Sequence, residues 1–257
     1  MSSPAEFRAR HIGRAALAAL RAGPARVFAA FERSCYVETP AGIACLGGPE
    51  IGRGPLNVIV EGQFRVRDGF LDIDTRRAEI WLAPRVACEQ VPLAQFPALT
   101  RPWRDHLEAQ AFLGWLAMGG AAPGEANALI GLGPGLTPAG DDFVGGAMIA
   151  LRAAGKIALA DRVAGWALPL AKERTNRISR THLQCAAAGE GHEALHDFLR
   201  TFSEEHLGRL GRIGHSSGLD AAAGAVLALN VNIHANRRSA QALAGRSSAH
   251  LAHLRRT

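Results

Sequence analysis

The run Ile130-Gly131-Leu132-Gly133-Pro134-Gly135-Leu136-Thr137-Pro138-Ala139-Gly140-Asp141-Asp142 lies between two segments of helical character. Its glycines at 131, 133, 135 and 140 admit backbone conformations closed to other residues and let the main chain approach a ligand. Thr137-Pro138 marks a helix start, because threonine caps and proline suits the first helical position. Backbone N–H groups in such a loop, beside a helix N-terminus, suit a phosphate or a carboxylate. Adjacent Asp141 and Asp142 offer oxygen ligands for Mg²⁺, or a general base. By spacing alone the same residues also fit a plain corner, with the two acids answering the helix dipole. No Gly-Lys-Ser/Thr follows, so this is not a Walker A loop, and no strand leads into it as a dinucleotide-binding βαβ unit requires.

Around this loop the chain reads as helical. Apolar residues at helical spacing predict helices over about 103–118, 126–130, 142–153, 157–172, 178–188, 192–202 and 219–229. Two further polar segments stand at helix starts. Thr175-Asn176-Arg177-Ile178-Ser179 precedes the helix that carries Cys185, and Gly214-His215-Ser216-Ser217-Gly218-Leu219-Asp220 precedes the last one. Capping alone accounts for either segment. A second reading is that all three starts point into one pocket, with Arg177 and Arg180 as anion clamps.

Toward the N-terminus the texture changes. A helix from about Arg14 to Leu20 precedes short apolar runs bounded by Gly or Pro at 27–31, 42–46, 56–60 and 78–82. Phe64-Arg65-Val66 and Phe70-Leu71-Asp72-Ile73 alternate across Arg67-Asp68-Gly69, a hairpin signal. Short strands with close turns predict a small β-barrel or sandwich. The expected fold is therefore α+β: a β-rich domain over 1–90, a mainly helical domain over 91–232 carrying the glycine-rich motif, and a basic tail over 233–257. Pro84 to Pro97 is the expected connector.

The net charge of +6 is concentrated in that tail. No acidic residue follows Asp220, and removing the five arginines beyond it leaves the body at about +1. The tail, rather than a basic face of the fold, carries the charge, and no helix-turn-helix or RNA-binding pattern accompanies it, so no nucleic-acid partner is expected. Charges at Glu6, Arg8, Arg10 and Arg14 interrupt the N-terminus, and the apolar stretches are too short to span a bilayer. The expectation is a cytoplasmic protein with no membrane contact. Cys35, Cys45, Cys88 and Cys185 form no CxxC pair and read as reduced, small apolar side chains. His192 and His196 share a helical face but lack a third ligand and the HExxH pattern of a zinc site.

GLGPGLTPAGDDFVGG, with the later TNRISRTHLQCAAAGEG and GHSSGLDAAAGAVLAL, resembles the AllH-type family, whose namesake is a subunit of oxamate carbamoyltransferase in allantoin degradation. The resemblance extends over about Val27 to Leu229. It implies carbamoyl transfer between oxalurate and phosphate, giving oxamate and carbamoyl phosphate. It also implies a hetero-oligomer with other carbamoyltransferase subunits, and a small anionic substrate, phosphate or a carbamoyl compound. By position it implies substrate-binding roles for Gly133, Gly135, Thr137, Gly140, Thr175, Ser179, Ser216, Gly218 and Asp220. Asp141, Asp142 and His215 become the catalytic candidates, with Asp141 and Asp142 also as ligands for Mg²⁺. His182 falls where an apolar residue is expected and is left out. A stand-alone metal-assisted hydrolase or phosphoryl-handling enzyme, and a non-catalytic ligand-binding scaffold, are the alternatives.

Overall fold

A computed structural model describes residues 5–62, 64–65, 69–87, 93–119 and 121–231. The first half is a barrel. Its strands are β1 (Ala5–Gly13), β2 (Ala25–Ala30), β3 (Ser34–Thr39), β4 (Gly42–Gly47), β5 (Asn57–Val60), β6 (Phe70–Asp74) and β7 (Glu79–Trp81). β1 closes it, pairing antiparallel with β5 on one edge and parallel with β6 on the other. The circuit β5-β4-β3-β2-β6-β1 makes six strands, and β7 extends the β1 edge as an extra one. Closure removes the exposed edges that an open sheet would carry. Ala9, Ile12, Cys35, Val37, Leu46, Val58 and Leu71 fill the interior.

β1 was not among the expected strands, because its arginines read as interruptions. In the fold they are the solvent half of an alternation: Arg8 and Arg10 are exposed, while Ala9 and Ile12 are buried. The expected hairpin of 64–66 with 70–73 is not formed. Phe64 and Arg65 carry no strand, and β6 pairs instead with β1 and β2. Val66 to Asp68 lie outside the described residues. With β1 available, β6 satisfies its backbone there, and Phe64 packs its ring against Phe7.

The second half is helical: α2 (Pro97–Arg104), α3 (Leu107–Met118), α4 (Ala139–Ala153), α5 (Ile157–Arg174), α6 (Arg177–Ala187), α7 (Glu193–Thr201), α8 (Glu204–Leu210) and α9 over 217–231, with α1 (Arg14–Leu20) lying in the barrel half against β4. Two helices stand around the expected 103–118: α2, which shares only Trp103 and Arg104 with that span and was not foreseen, and α3, which fills most of it. Pro97 starts the first, and His106, extended between them, breaks the run. The segment at 124–129 is 3₁₀ rather than α. α4 is the central helix of the second core, buried along most of its length. Gly146 and Gly224 let α4 and α9 cross in contact. A Cβ on Gly146 would stand 1.9 Å from the Ala221 carbonyl oxygen, and one on Gly224 at 1.9 Å from that of Phe143. Cys35, Cys45 and Cys185 are free and buried, and Cys88 lies outside the described residues, as does the tail from 232. No described helix is long and apolar enough to cross a membrane.

Candidate functional site

α4 begins directly after the glycine loop, and that start is tied to both other polar segments. Asp141 is buried, and its carboxylate is fully engaged. Oδ1 accepts the Gly131 N–H at 2.8 Å, and Oδ2 accepts the hydroxyls of Thr175 at 2.5 Å and Ser179 at 2.6 Å. Asn176 caps α6 with its side-chain oxygen and donates from Nδ2 to the Leu136 carbonyl at 2.9 Å. Thr137 and Ser217 share a hydrogen bond of 2.8 Å, joining the loop to the start of α9. The three polar segments therefore meet in space, which their spacing in the chain does not reveal.

Where they meet, the barrel and the helices enclose a cavity of about 420 Å³. The helical wall carries Thr137, Asp141, Asp142, Ser179, Ser217 and Gly218 of the segments read from sequence. It also carries His182, one turn beyond Ser179 on α6. The barrel wall carries Ser34, Tyr36, Cys45 and Asn57. Alternation on β3 explains this wall: Cys35 and Val37 point into the barrel core, so Ser34, Tyr36 and Glu38 face outward. Tyr36 then meets His182, with its hydroxyl 3.3 Å from Nε2, and Glu38 pairs with Arg26 and with Arg177 of α6. Arg33 and Arg212, both exposed, line the same cavity. Neither forms an ion pair among the described residues.

The remaining predicted residues lie elsewhere. Gly133 and Gly135 form the exposed tip of the loop with positive φ, and nothing lies within 4 Å of where a Gly135 Cβ would stand. Gly140 is buried against the Leu129 carbonyl, which a Cβ would meet at 2.0 Å. Thr175 reaches the site through Asp141. His215 and Ser216 are exposed and do not line the cavity. Asp220 turns to Trp103, whose Nε1–H donates to Oδ1 at 3.0 Å.

Burial works against the charged form of several lining groups. Burial raises the Asp142 carboxyl well above the usual carboxylate range, with nearby Asp220 and Asp141 adding to it against the hydroxyls of Ser217 and Thr137. Its Oδ2 is buried and has no hydrogen-bond partner among the described residues. Burial lowers His182 to about 4, with His192 contributing, and raises the Tyr36 phenol well above 10. Burial also pushes the Cys45 thiol to about 12, so it is no thiolate nucleophile at neutral pH. The acid pair does not fit a resident Mg²⁺. Asp141 already accepts three hydrogen bonds, and no three His, Cys, Asp or Glu among the described residues form a ligand group.

Fold and site together define an α+β protein whose six-stranded barrel and helical half flank a cavity at the meeting of three helix N-termini. Residues 129–229 match the family model described as oxamate carbamoyltransferase subunit AllH, a likeness confined to that stretch of the chain. The matched stretch contains the helical wall of the cavity but stops short of the barrel, over which the sequence resemblance was expected to reach back to Val27. No curated protein matches the chain, and no solved structure does.

Sequence reasoning missed Tyr36, His182, Ser217, Arg33 and Arg212 at this site. Ser217 had a signal, since it stands beside Ser216 in the same segment. Tyr36 is the chain's only tyrosine, but nothing in β3 alone indicates that it faces a helix.

Proposed function

We propose that the chain is a carbamoyltransferase-associated subunit that holds a small anionic substrate, a carboxylate or a phosphate, between its barrel and its helices. The observation that supports this is the cavity itself: a pocket between the barrel and the helices with two unpaired arginines, Arg33 and Arg212, on a wall that also carries Glu50 and Glu190. Arginine matches carboxylate and phosphate with a planar fork of donors. A neutral Asp142 removes the repulsion that an ionised carboxylate would exert on such a ligand.

The chemistry implied by the family name asks for a proton source. When a phosphate oxygen forms its bond to the carbamoyl carbon and the carbon–nitrogen bond breaks, the departing amide nitrogen must gain a proton. Asp142 lines the cavity, and burial favours its protonated form, so it has one to give. Asp141 acts differently: engaged with Thr175 and Ser179, it holds α4 and α6 in register so that Asp142 and His182 face the same space. Other subunits of a hetero-oligomer would complete the enzyme.

The test is calorimetric titration of the full chain with oxamate, carbamoyl phosphate and phosphate, beside the double variant Arg33→Ala, Arg212→Ala. Saturable binding to the wild type, weakened at least about tenfold in the variant, is the expected result. Absence of binding by the wild type, or equal affinity in both proteins, overturns the reading.

A further inference from the structure

Tyr36 comes from the barrel and His182 from the helical half, and they meet inside the cavity. Two observations fix what this pair can do. The phenol is held in place by its own half of the molecule, with the rings of Phe28 and Phe31 at 6.3 and 6.4 Å and the Cys45 sulfur of β4 as a second, weaker acceptor for its hydroxyl. The imidazole is half-buried on the cavity wall, one turn from Ser179, and only its Nε2 has a hydrogen-bond partner among the described residues. A phenol in its neutral form has one proton to donate, and neutral imidazole accepts at one nitrogen and donates at the other.

We propose that Tyr36 sets the tautomer of His182 by donating its O–H to Nε2, so that Nδ1–H becomes a donor for an uncharged acceptor oxygen of the substrate. This rests on the reading of the cavity as an anion site and names the other end of the ligand. Arg33 and Arg212 take the charged group. The Tyr36–His182 pair, which carries no net charge, takes a carbonyl oxygen of amide or ureide type. A second carboxylate there would lack a compensating cation in a buried setting, so a molecule charged at both ends is disfavoured. The barrel thus supplies a residue that positions a substrate contact, and the site is incomplete without it.

Burial supports the assignment, because it keeps both groups neutral: His182 is lowered to about 4 and the Tyr36 phenol is raised. The donor therefore stays the same across the neutral range.

The experiment has two arms on the full chain. In the first, nitrogen-15 NMR of the imidazoles, with His182 assigned by its loss in His182→Asn, reads the tautomer directly. Protonation at Nδ1 in the wild type, and a shift toward the other tautomer in Tyr36→Phe, are expected. Protonation at Nε2 in the wild type overturns the proposal. In the second, oxamate, with one carboxylate and one amide, is titrated against oxalate, with two carboxylates. The wild type should prefer oxamate. His182→Leu should lose about tenfold in oxamate affinity, while His182→Asn, whose amide N–H stands near the Nδ1 position, should keep most of it. Wild-type binding of oxamate that His182→Leu leaves unchanged overturns this inference alone. A wild type that binds neither ligand overturns the anion-site reading and this inference with it.

Discussion

Asp141 on α4 accepts the hydroxyl of Ser179 on α6 at 2.6 Å, in a setting where both residues are buried. The same carboxylate also holds Thr175 and the Gly131 N–H, so one side chain fastens the glycine loop and two helix starts. Asp141→Ala leaves three donors without their acceptor and should cost about 3 kcal/mol or more. Asp141→Asn keeps one oxygen and lets the hydroxyls reorient, and should cost roughly 1–2 kcal/mol. Urea unfolding, with the midpoint falling and the slope unchanged, checks both.

Glycines in and after the loop should respond very differently to alanine. At Gly140 and Gly146 a Cβ would stand 2.0 and 1.9 Å from backbone carbonyl oxygens, so the helices must separate. Either substitution should destabilise by more than about 3 kcal/mol, or prevent folding. Gly135 has a φ of +95° but open space around it, and Gly135→Ala should cost only about 1 kcal/mol. Melting temperatures of the three variants under one buffer condition make the comparison.

Asp142 should leave a signature in the pH dependence of stability. Burial raises its folded pKa above the ordinary 3.8, so the native state keeps a proton that the unfolded chain releases. Its favourable contribution is present below 3.8 and is lost as pH rises through the folded value. Asp142→Asn, neutral at every pH, should therefore raise Tm more at pH 7 than at pH 4. A Tm difference independent of pH would contradict a raised carboxyl pKa.

The buried histidines act in the opposite sense. His182 and His196 fall from 6.5 to about 4 on folding, chiefly through burial, so the unfolded chain binds protons that the native state refuses. Their contribution is whole above 6.5 and is lost as pH falls toward about 4, on the order of 3 kcal/mol for each. His196→Gln should flatten the loss of stability between pH 6.5 and 4, as read by urea midpoints across that range.

Much of the architecture was legible before the structure. Apolar runs at β2, β4, β5, β6 and β7 marked a barrel or sandwich, and helical spacing located most helices to within a few residues. Two strands and two helices escaped, α2 because it follows directly on a proline-rich connector. β1 hides an inside–outside alternation behind its arginines, and β3 shares its inward face between two small cysteine and valine side chains and Thr39. α8 is only seven residues long, with a single buried side chain, Leu210, to betray its period. The site was half legible. Thr137, Asp141, Asp142, Ser179 and Gly218 line the cavity, whereas His215 and Ser216 lie at the surface.

What the sequence determined by itself is local: which segments are strands or helices, where the chain must turn, and which short stretches carry polar groups at helix starts. Those properties follow from backbone torsions, side-chain period and capping, all of which act over a few residues. The tertiary structure alone decided that residues 38 positions apart share a hydrogen bond at Asp141 and Ser179. It also set Tyr36 against His182, 146 positions away. Such contacts depend on how elements distant in the chain pack together, and burial there, rather than residue type, raises the Asp142 carboxyl and lowers His182.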